Sequence, residues 1–382
     1  MKTADDTVKI SNHLEWVQLT NFRCLPDAGL ILEPGFTVLR GSNGQGKTSV
    51  LEAVAWFSRS RSFRGVPDAA LVGNSAHQSV IRTQVVQGSR RVELSAEIFA
   101  TGRNRILVNH QPISRARDMH ELVHTTVFSP DDLALIKGGP AERRDYLDDL
   151  LCMLGPRYDA ARGDFDRVLR QRNALLRSGI RHPEDELTLE VFDTQLVAAG
   201  AELVRGRLQL VECLGPVLAE AYGHLGGIGV EVGDTYETDW ATGIISGAET
   251  ADLRVFLREG LAAHRKAELD RGVTLVGPHH DEWKITLAGM DSRTRSSQGE
   301  QRCLALALRL AGHRVVTNLS GAAPLLLLDD VFSELDETRQ RALVAELPQG
   351  QTLLTTAGVL PAGVVSDRVF LVENGRVFQE KA

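Results

Sequence analysis

Cysteine is scarce in this chain: the four present, Cys24, Cys152, Cys213 and Cys303, lie far apart and form no C-x-x-C pair. That spacing argues against a disulfide framework and a thiolate zinc site, and it predicts buried, inert thiols. No apolar run approaches the roughly 18 uninterrupted residues of a membrane span. The opening residues MKTADDTVKISNH are too polar for a signal peptide. A soluble, cytoplasmic chain with no membrane partner is therefore expected. Lysine is scarce as well, at seven residues, so nearly all positive charge is arginine, the side chain suited to planar two-point contacts with phosphate. A net charge of −7 excludes a uniformly basic nucleic-acid coat but leaves room for a local groove. No internal repeat, low-complexity tract or sustained heptad is visible.

With 382 residues, 43% of them apolar, the chain has material for roughly two or three domains with ordinary cores. Its organising stretch is Gly41-Ser42-Asn43-Gly44-Gln45-Gly46-Lys47-Thr48, which satisfies G-x-x-x-x-G-K-[ST]. A strand-like run, Phe36 to Arg40, precedes it, and a stretch with apolar residues at helical spacing, Thr48 to Phe57, follows. Glycines let backbone N–H groups close around a triphosphate, and the helix N-terminus adds partial positive charge. Lys47 is expected to reach the β- and γ-phosphates, and the Thr48 hydroxyl to enter the shell of a bridging Mg2+. These eight residues, with Ser49 behind them, form the expected nucleotide-binding set.

Strands are expected at Leu14 to Thr20, near Gly29 to Leu32, at Ser79 to Gln87 with Arg90 to Ala100 as a hairpin, and at Arg105 to Asn109. Together they read as an antiparallel subdomain beside the nucleotide site. Ser129-Pro130-Asp131-Asp132 reads as a helix start with Ser129 as N-cap. Long helices follow at 141–154, 156–178 and 184–223, the last with a stripe of Leu196, Leu203, Leu210, Leu214 and Leu218. The division expected is an ATPase head from 1–138 and 271–382, interrupted by a helical lobe at 139–270. Residues 223–248 carry the weakest pattern. Strand-like runs return at Gly272 to Val276 and Trp283 to Leu287. The His279-His280-Asp281-Glu282 turn between them could supply metal ligands, although successive side chains in a turn diverge.

Two later stretches complete the chemistry. Ser297-Gln298-Gly299-Glu300 opens an apolar helix; Ser297 with Glu300 fits a capping box, and the same bare N-terminus could present N–H groups to a γ-phosphate. Pro324 to Leu328 is an apolar run of the kind buried on both faces of a sheet, and it ends in Asp329-Asp330. The first acid is placed to hold the Mg2+ shell, the second to orient or deprotonate water. Ser333-Glu334-Leu335-Asp336 follows, then a last core strand at Leu353 to Thr356 and a hairpin from Val369 to Val377. Arginines cluster at Arg59/Arg61/Arg64, Arg103/Arg105 and Arg115/Arg117, and the candidate nucleic-acid backbone contacts among them are Arg61, Arg64, Arg103, Arg105, Arg115 and Arg117. A second candidate is a basic stripe of Arg162, Arg167, Arg170, Arg172 and Arg177.

P-loop, S-x-G signature, paired acids and S-x-L-D loop, in this order, resemble the ATP-binding-cassette heads of SMC-like proteins. Within that class the chain is similar to the RecF family of bacterial DNA-gap repair proteins. The resemblance adds N-F-R at 21–23, F-S-P-D-D-L at 128–133, G-G-P-A-E-R-R-D-Y-L-D-D at 138–149 and G-P-H at 277–279. It implies an α/β fold: an ABC-type P-loop ATPase head with an antiparallel β subdomain and an inserted helical lobe. It further implies ATP and Mg2+ as ligands, and a homodimer that closes on ATP between the P-loop of one subunit and Ser297 and Gly299 of the other. Weak, DNA-stimulated hydrolysis, binding of single-stranded or gapped DNA, and RecO and RecR as partners follow from it too. His280 stands where the family commonly has arginine and Glu300 where it has glutamine. Asp330 stands where transporter ATPases have glutamate, and Thr355 and Thr356 lie near their switch histidine. The alternative, the ATPase subunit of a membrane transporter, is weakened by these differences and by the helical insertion.

Overall fold

A computed structural model describes residues 12–113, 117–226, 229–241 and 247–380. The chain packs into two compact units: Met1–Asp132 with Ala221–Ile228 and Ala305–Ala382, and Leu133–Glu220 with Gly229–Leu304.

The first unit holds two six-stranded sheets. One runs in the order Arg376–Gln379, Arg368–Glu373, Phe36–Arg40, Thr352–Thr356, Leu325–Asp329, Thr125–Phe128. All its neighbours are parallel except the terminal hairpin. Leu325–Asp329 is buried at every position, as a central parallel strand without alternation should be. Register decides what lies at the strand ends: Asp329 pairs with Thr355, and Thr356 pairs with Arg40, the residue before the P-loop. The carboxyl ends of a parallel sheet leave a crevice for ligand, and here the loop and both acids share it.

The other sheet is antiparallel and runs Leu25–Ile31, His13–Phe22, Gln78–Gln87, Arg90–Phe99, Arg105–Val108, Gln111–Pro112. Its inner face and the parallel sheet share one apolar core with the helix Lys47–Arg59: Val50, Leu51 and Val54 pack among Leu19, Ile81 and Leu94, and Leu327 and Leu353 belong to the same cluster. A helix covered on both sides has no polar face. Accordingly Ser49 through Phe57 are all buried.

In the second unit the helices Pro140–Leu154 and Pro156–Ser178 begin on proline, which loses nothing at a first helical turn. Pro183–His224 does the same, and its leucine stripe is buried as the spacing predicts. The weakly patterned region contributes Val232–Glu237, which pairs with Glu282–Leu287. One local expectation fails. Gly272 to Val276 is not a strand, because side chains take its backbone donors: Asn173 Oδ1 accepts the Thr274 N–H at 2.7 Å and Glu268 Oε1 accepts that of Leu275 at 2.8 Å. In the first unit a helical turn does begin at Pro130, directly after Ser129, as a 3-10 helix over Pro130–Leu133, and the Asp132 carboxylate accepts the Ser129 N–H at 2.8 Å. The thiols also depart from expectation, since Cys24 and Cys213 are exposed and only Cys303 is buried. Scarcity fixes pairing, not burial.

Candidate functional site

Between the strand Phe36–Arg40 and the helix Lys47–Arg59 the chain turns through Gly41 to Gly46. At Gly41 a Cβ would lie 2.2 Å from the Val372 carbonyl oxygen; at Gly46 (φ 108°) it would lie 2.9 Å from Cys24 Sγ. Both positions therefore exclude any side chain. The N-cap residue, Gly46, has no side chain to cap the first turn, which suits the helix N-terminus to face an anion. Lys47 Nζ is folded onto the loop, donating to Gly41 O at 2.7 Å and Ser42 O at 2.9 Å. Burial lowers its pKa, against the pull of Asp330 and Asp329. Gln45 turns away from the loop: its Oε1 accepts the Asn374 N–H of the terminal hairpin at 2.6 Å.

The acids stand at the other wall. Thr48 Oγ1 and Thr355 Oγ1 each donate to Asp329 Oδ1 at 2.7 Å. Burial raises the Asp329 pKa, those two bonds lower it, and the neighbouring Asp330 adds to the rise. Asp330 has a left-handed backbone (φ 49°), and its N–H donates to Thr355 Oγ1 at 3.0 Å. Such a conformation costs a non-glycine residue on the order of 1 kcal/mol and marks a held geometry. The cleft enclosed measures about 550 Å³, and Asn43, Gly44, Gly46, Lys47, Thr48, Ser49, Asp329 and Asp330 all line it. Thr48 and the two carboxylates are hard oxygen donors of the kind Mg2+ takes. Glycines that admit no Cβ, a buried ammonium and this donor set fit a magnesium nucleotide.

Sequence reasoning missed the opposite rim. Arg23 of N-F-R makes a two-point bond to Glu52, at 2.8 and 2.6 Å, on the fully buried side of the P-loop helix. Ser62 donates to the same carboxylate, and its Oγ accepts the Arg64 N–H at 3.0 Å. Arg23, Cys24 and Arg64 line the cleft; Arg64, expected among the nucleic-acid contacts, is exposed at this rim. Only the short N-F-R string hinted at this; its partners are dozens of residues away.

The signature lies in the second unit. Ser297 Oγ accepts the Glu300 N–H at 3.3 Å and Glu300 Oε2 accepts the Ser297 N–H at 2.7 Å. This is the capping box in full, and hydrogen bonds from Ser297 hold the Glu300 carboxyl below its ordinary pKa. Ser297 is exposed and Gly299 half-buried.

Two other strings meet in that unit. Arg207 bonds both oxygens of Asp148, at 2.7 and 2.8 Å, and Pro278 O at 2.7 Å; Arg144 donates to Asp281 O at 2.7 Å. Asp281 is saturated by Tyr236 and Trp240, each at 2.6 Å, and burial raises its pKa to about 6. His279 and His280 turn to the Thr274 carbonyl. Among the described residues no three metal-ligating side chains converge.

The expected basic stripe is split: Arg167, Arg170 and Arg177 are exposed, whereas Arg172 and Arg162 are taken up by acids. Arg172 is fully buried, bonded to Glu268 at 2.6 Å, Asp193 at 2.7 Å and Thr274 at 2.8 Å, and Arg162 is engaged by Asp145 and Asp149. These arginines neutralise internal acids. Arg61, Arg103 and Arg105 are exposed, the last pairing with Glu97 at 3.7 Å. Arg115 and the side chain of Arg117 lie outside the described residues.

Comparison with known proteins agrees with this geometry. The RecF/RecN/SMC N terminal domain family matches residues 13–356. The DNA replication and repair protein RecF of Arthrobacter sp. (strain FB24) is 40% identical over 95% of this chain and 98% of its own. That of Frankia alni is 39% identical over 96% and 99%. The solved structure of the recombination mediator protein RecF-ATP in the RecFOR pathway aligns with a TM-score of 0.88 at 29% identity, covering 97% of this chain and 100% of that one. The Smc head domain of Pyrococcus furiosus shares the fold at a TM-score of 0.57 and 15% identity. No described helix is long and apolar enough to cross a membrane.

Proposed function

The chain belongs to the RecF family within the RecF/RecN/SMC ATPases, and from that premise we propose that it is an ATP-gated DNA-binding protein of recombinational gap repair, replication and SOS induction. One observation carries the ATPase half: the P-loop hydroxyl of Thr48 and the acid at the end of a core strand, Asp329, meet on one oxygen at 2.7 Å. Residues 281 positions apart in the chain have no other reason to converge beside a glycine cradle and a buried lysine.

In this reading the backbone from Gly41 to Gly46, with Ser49, holds the phosphates. Lys47 releases the loop carbonyls to neutralise the β- and γ-phosphates. Thr48 and Asp329 hold Mg2+, which supplies charge neutralisation of those phosphates when bound. Asp330 orients the attacking water. Its side chain is shorter than the glutamate of transporter ATPases, in keeping with slow turnover that serves as a switch.

Residues 1–138 and 271–382 act as the head, and 139–270 as the inserted lobe. Ser297 and Gly299 complete the γ-phosphate site across a homodimer, so that ATP favours closure and hydrolysis releases it. Single-stranded or gapped DNA is held through its backbone, with Arg61, Arg64, Arg103 and Arg105, and Arg167, Arg170 and Arg177 of the stripe, the exposed candidates among the described residues. RecO and RecR are the expected partners in loading the recombinase, in the cytoplasm. ATP turnover with and without gapped DNA tests the whole reading: stimulation supports it, and turnover indifferent to DNA returns the transporter-type ATPase.

A further inference from the structure

Strands place successive side chains on opposite faces, and Thr355 and Thr356 use that alternation differently. The Thr356 hydroxyl serves the following loop, accepting the Gly358 N–H at 3.1 Å. The Thr355 hydroxyl faces the acids. It is 1% exposed, so water does not compete for it. A hydroxyl has one proton and free lone pairs. The proton goes to Asp329 Oδ1 at 2.7 Å, and a lone pair accepts the Asp330 N–H at 3.0 Å. Register makes this contact obligatory, since Thr355 is the cross-strand partner of Asp329.

We infer that Thr355 is a positioning residue for ATP hydrolysis, a single hydroxyl that orients both acids at once. The inference rests on the ATPase reading above. Two consequences follow from the geometry. Thr48 and Thr355 share one oxygen of Asp329; when the Thr48 hydroxyl serves the cation, Thr355 is the donor that keeps the carboxylate aimed. The N–H bond also pins Asp330 in its left-handed conformation (φ 49°), which fixes where its carboxylate points. Valine has the shape of threonine and can do neither; serine can do both.

The experiment compares Thr355→Val, Thr355→Ala and Thr355→Ser, with Thr356→Val as control. ATP affinity is read by calorimetry and turnover separately. Amide exchange at Asp330 is read in the nucleotide-free protein. The hydroxyl-less variants should keep ATP affinity within about threefold while turnover falls about tenfold or more, the magnitude of losing an oriented hydrogen bond at a reacting centre. Exchange at the Asp330 amide should speed up by about tenfold in the same variants. Serine should restore both quantities, and Thr356→Val should leave both unchanged. Wild-type turnover in Thr355→Val and Thr355→Ala, unaltered exchange, or a serine variant as impaired as valine would overturn the inference. A wild-type protein that does not bind ATP would instead sink the ATPase reading, and the exchange measurement would still decide whether Thr355 holds Asp330.

Discussion

At the scale of single residues, the proposed roles of Lys47 and Asp330, two of the charged groups lining the cleft, are separable. Among the described residues lining the cleft Lys47 is the one ammonium, and its bonds to Gly41 O and Ser42 O show it already held over the loop. Lys47→Ala should weaken ATP binding by about 10- to 100-fold, the equivalent of one or two charge-assisted hydrogen bonds. Asp330→Asn keeps the backbone bond to Thr355 and should bind ATP within about threefold of wild type while turnover falls by about 100-fold or more. Calorimetry separates the two, and equal loss of binding in both variants would refute the division. The P-loop and paired acids were legible because each is a local string whose chemistry depends on spacing. Thr355, Glu52 and Ser62 were not: their importance lies in their partners, Asp329 for Thr355, Arg23 for Glu52 and Glu52 for Ser62, and a lone threonine, glutamate or serine carries no such mark in a sequence.

At the scale of elements, the arginine stripe on the helix Pro156–Ser178 shows where reading by residue type misleads. Helical spacing located the charges but could not say that Glu268 and Asp193 wait on neighbouring elements to bury Arg172. Arg172→Met should therefore destabilise by about 3–5 kcal/mol, because it strands a buried carboxylate. Adding Glu268→Gln, which keeps an acceptor for the Leu275 N–H, should recover part of that loss in denaturant unfolding. A double variant no more stable than Arg172→Met alone would contradict the buried-charge account. The same lobe should be pH-sensitive. Burial raises the Asp281 pKa from 3.8 to about 6, so between those values the folded state binds more protons than the unfolded one. Stability should then fall as pH rises from about 4 to 6 and level off above, by at most about 3 kcal/mol. Asp281→Asn should flatten that slope, and a slope unchanged in the variant would place its origin elsewhere. Helix limits were readable from prolines at first turns; the loop from Gly272 to Val276 was not, because side-chain acceptors replace a strand partner there.

At the scale of the whole molecule, order along the chain was the strongest signal, since P-loop, signature, paired acids and S-x-L-D loop together define one ATPase class. What order cannot say is which copy of the signature serves which P-loop. The P-loop and acids assemble in one compact unit, and Ser297 belongs to the other, exposed and with its hydroxyl accepting the Glu300 N–H of its own helix. A site completed across a two-fold dimer is the proposal made above. The direct test mixes two inactive proteins, Lys47→Ala and Ser297→Arg. In each mixed dimer one site inherits both lesions, and the other joins an intact P-loop to an intact signature. Random equal mixing makes about half the dimers mixed, each with one good site of two, so ATP turnover should return to about a quarter of wild type, accompanied by ATP-dependent dimerisation. No recovery on mixing, with neither variant associating in ATP and wild type hydrolysing ATP as a monomer, would contradict the account.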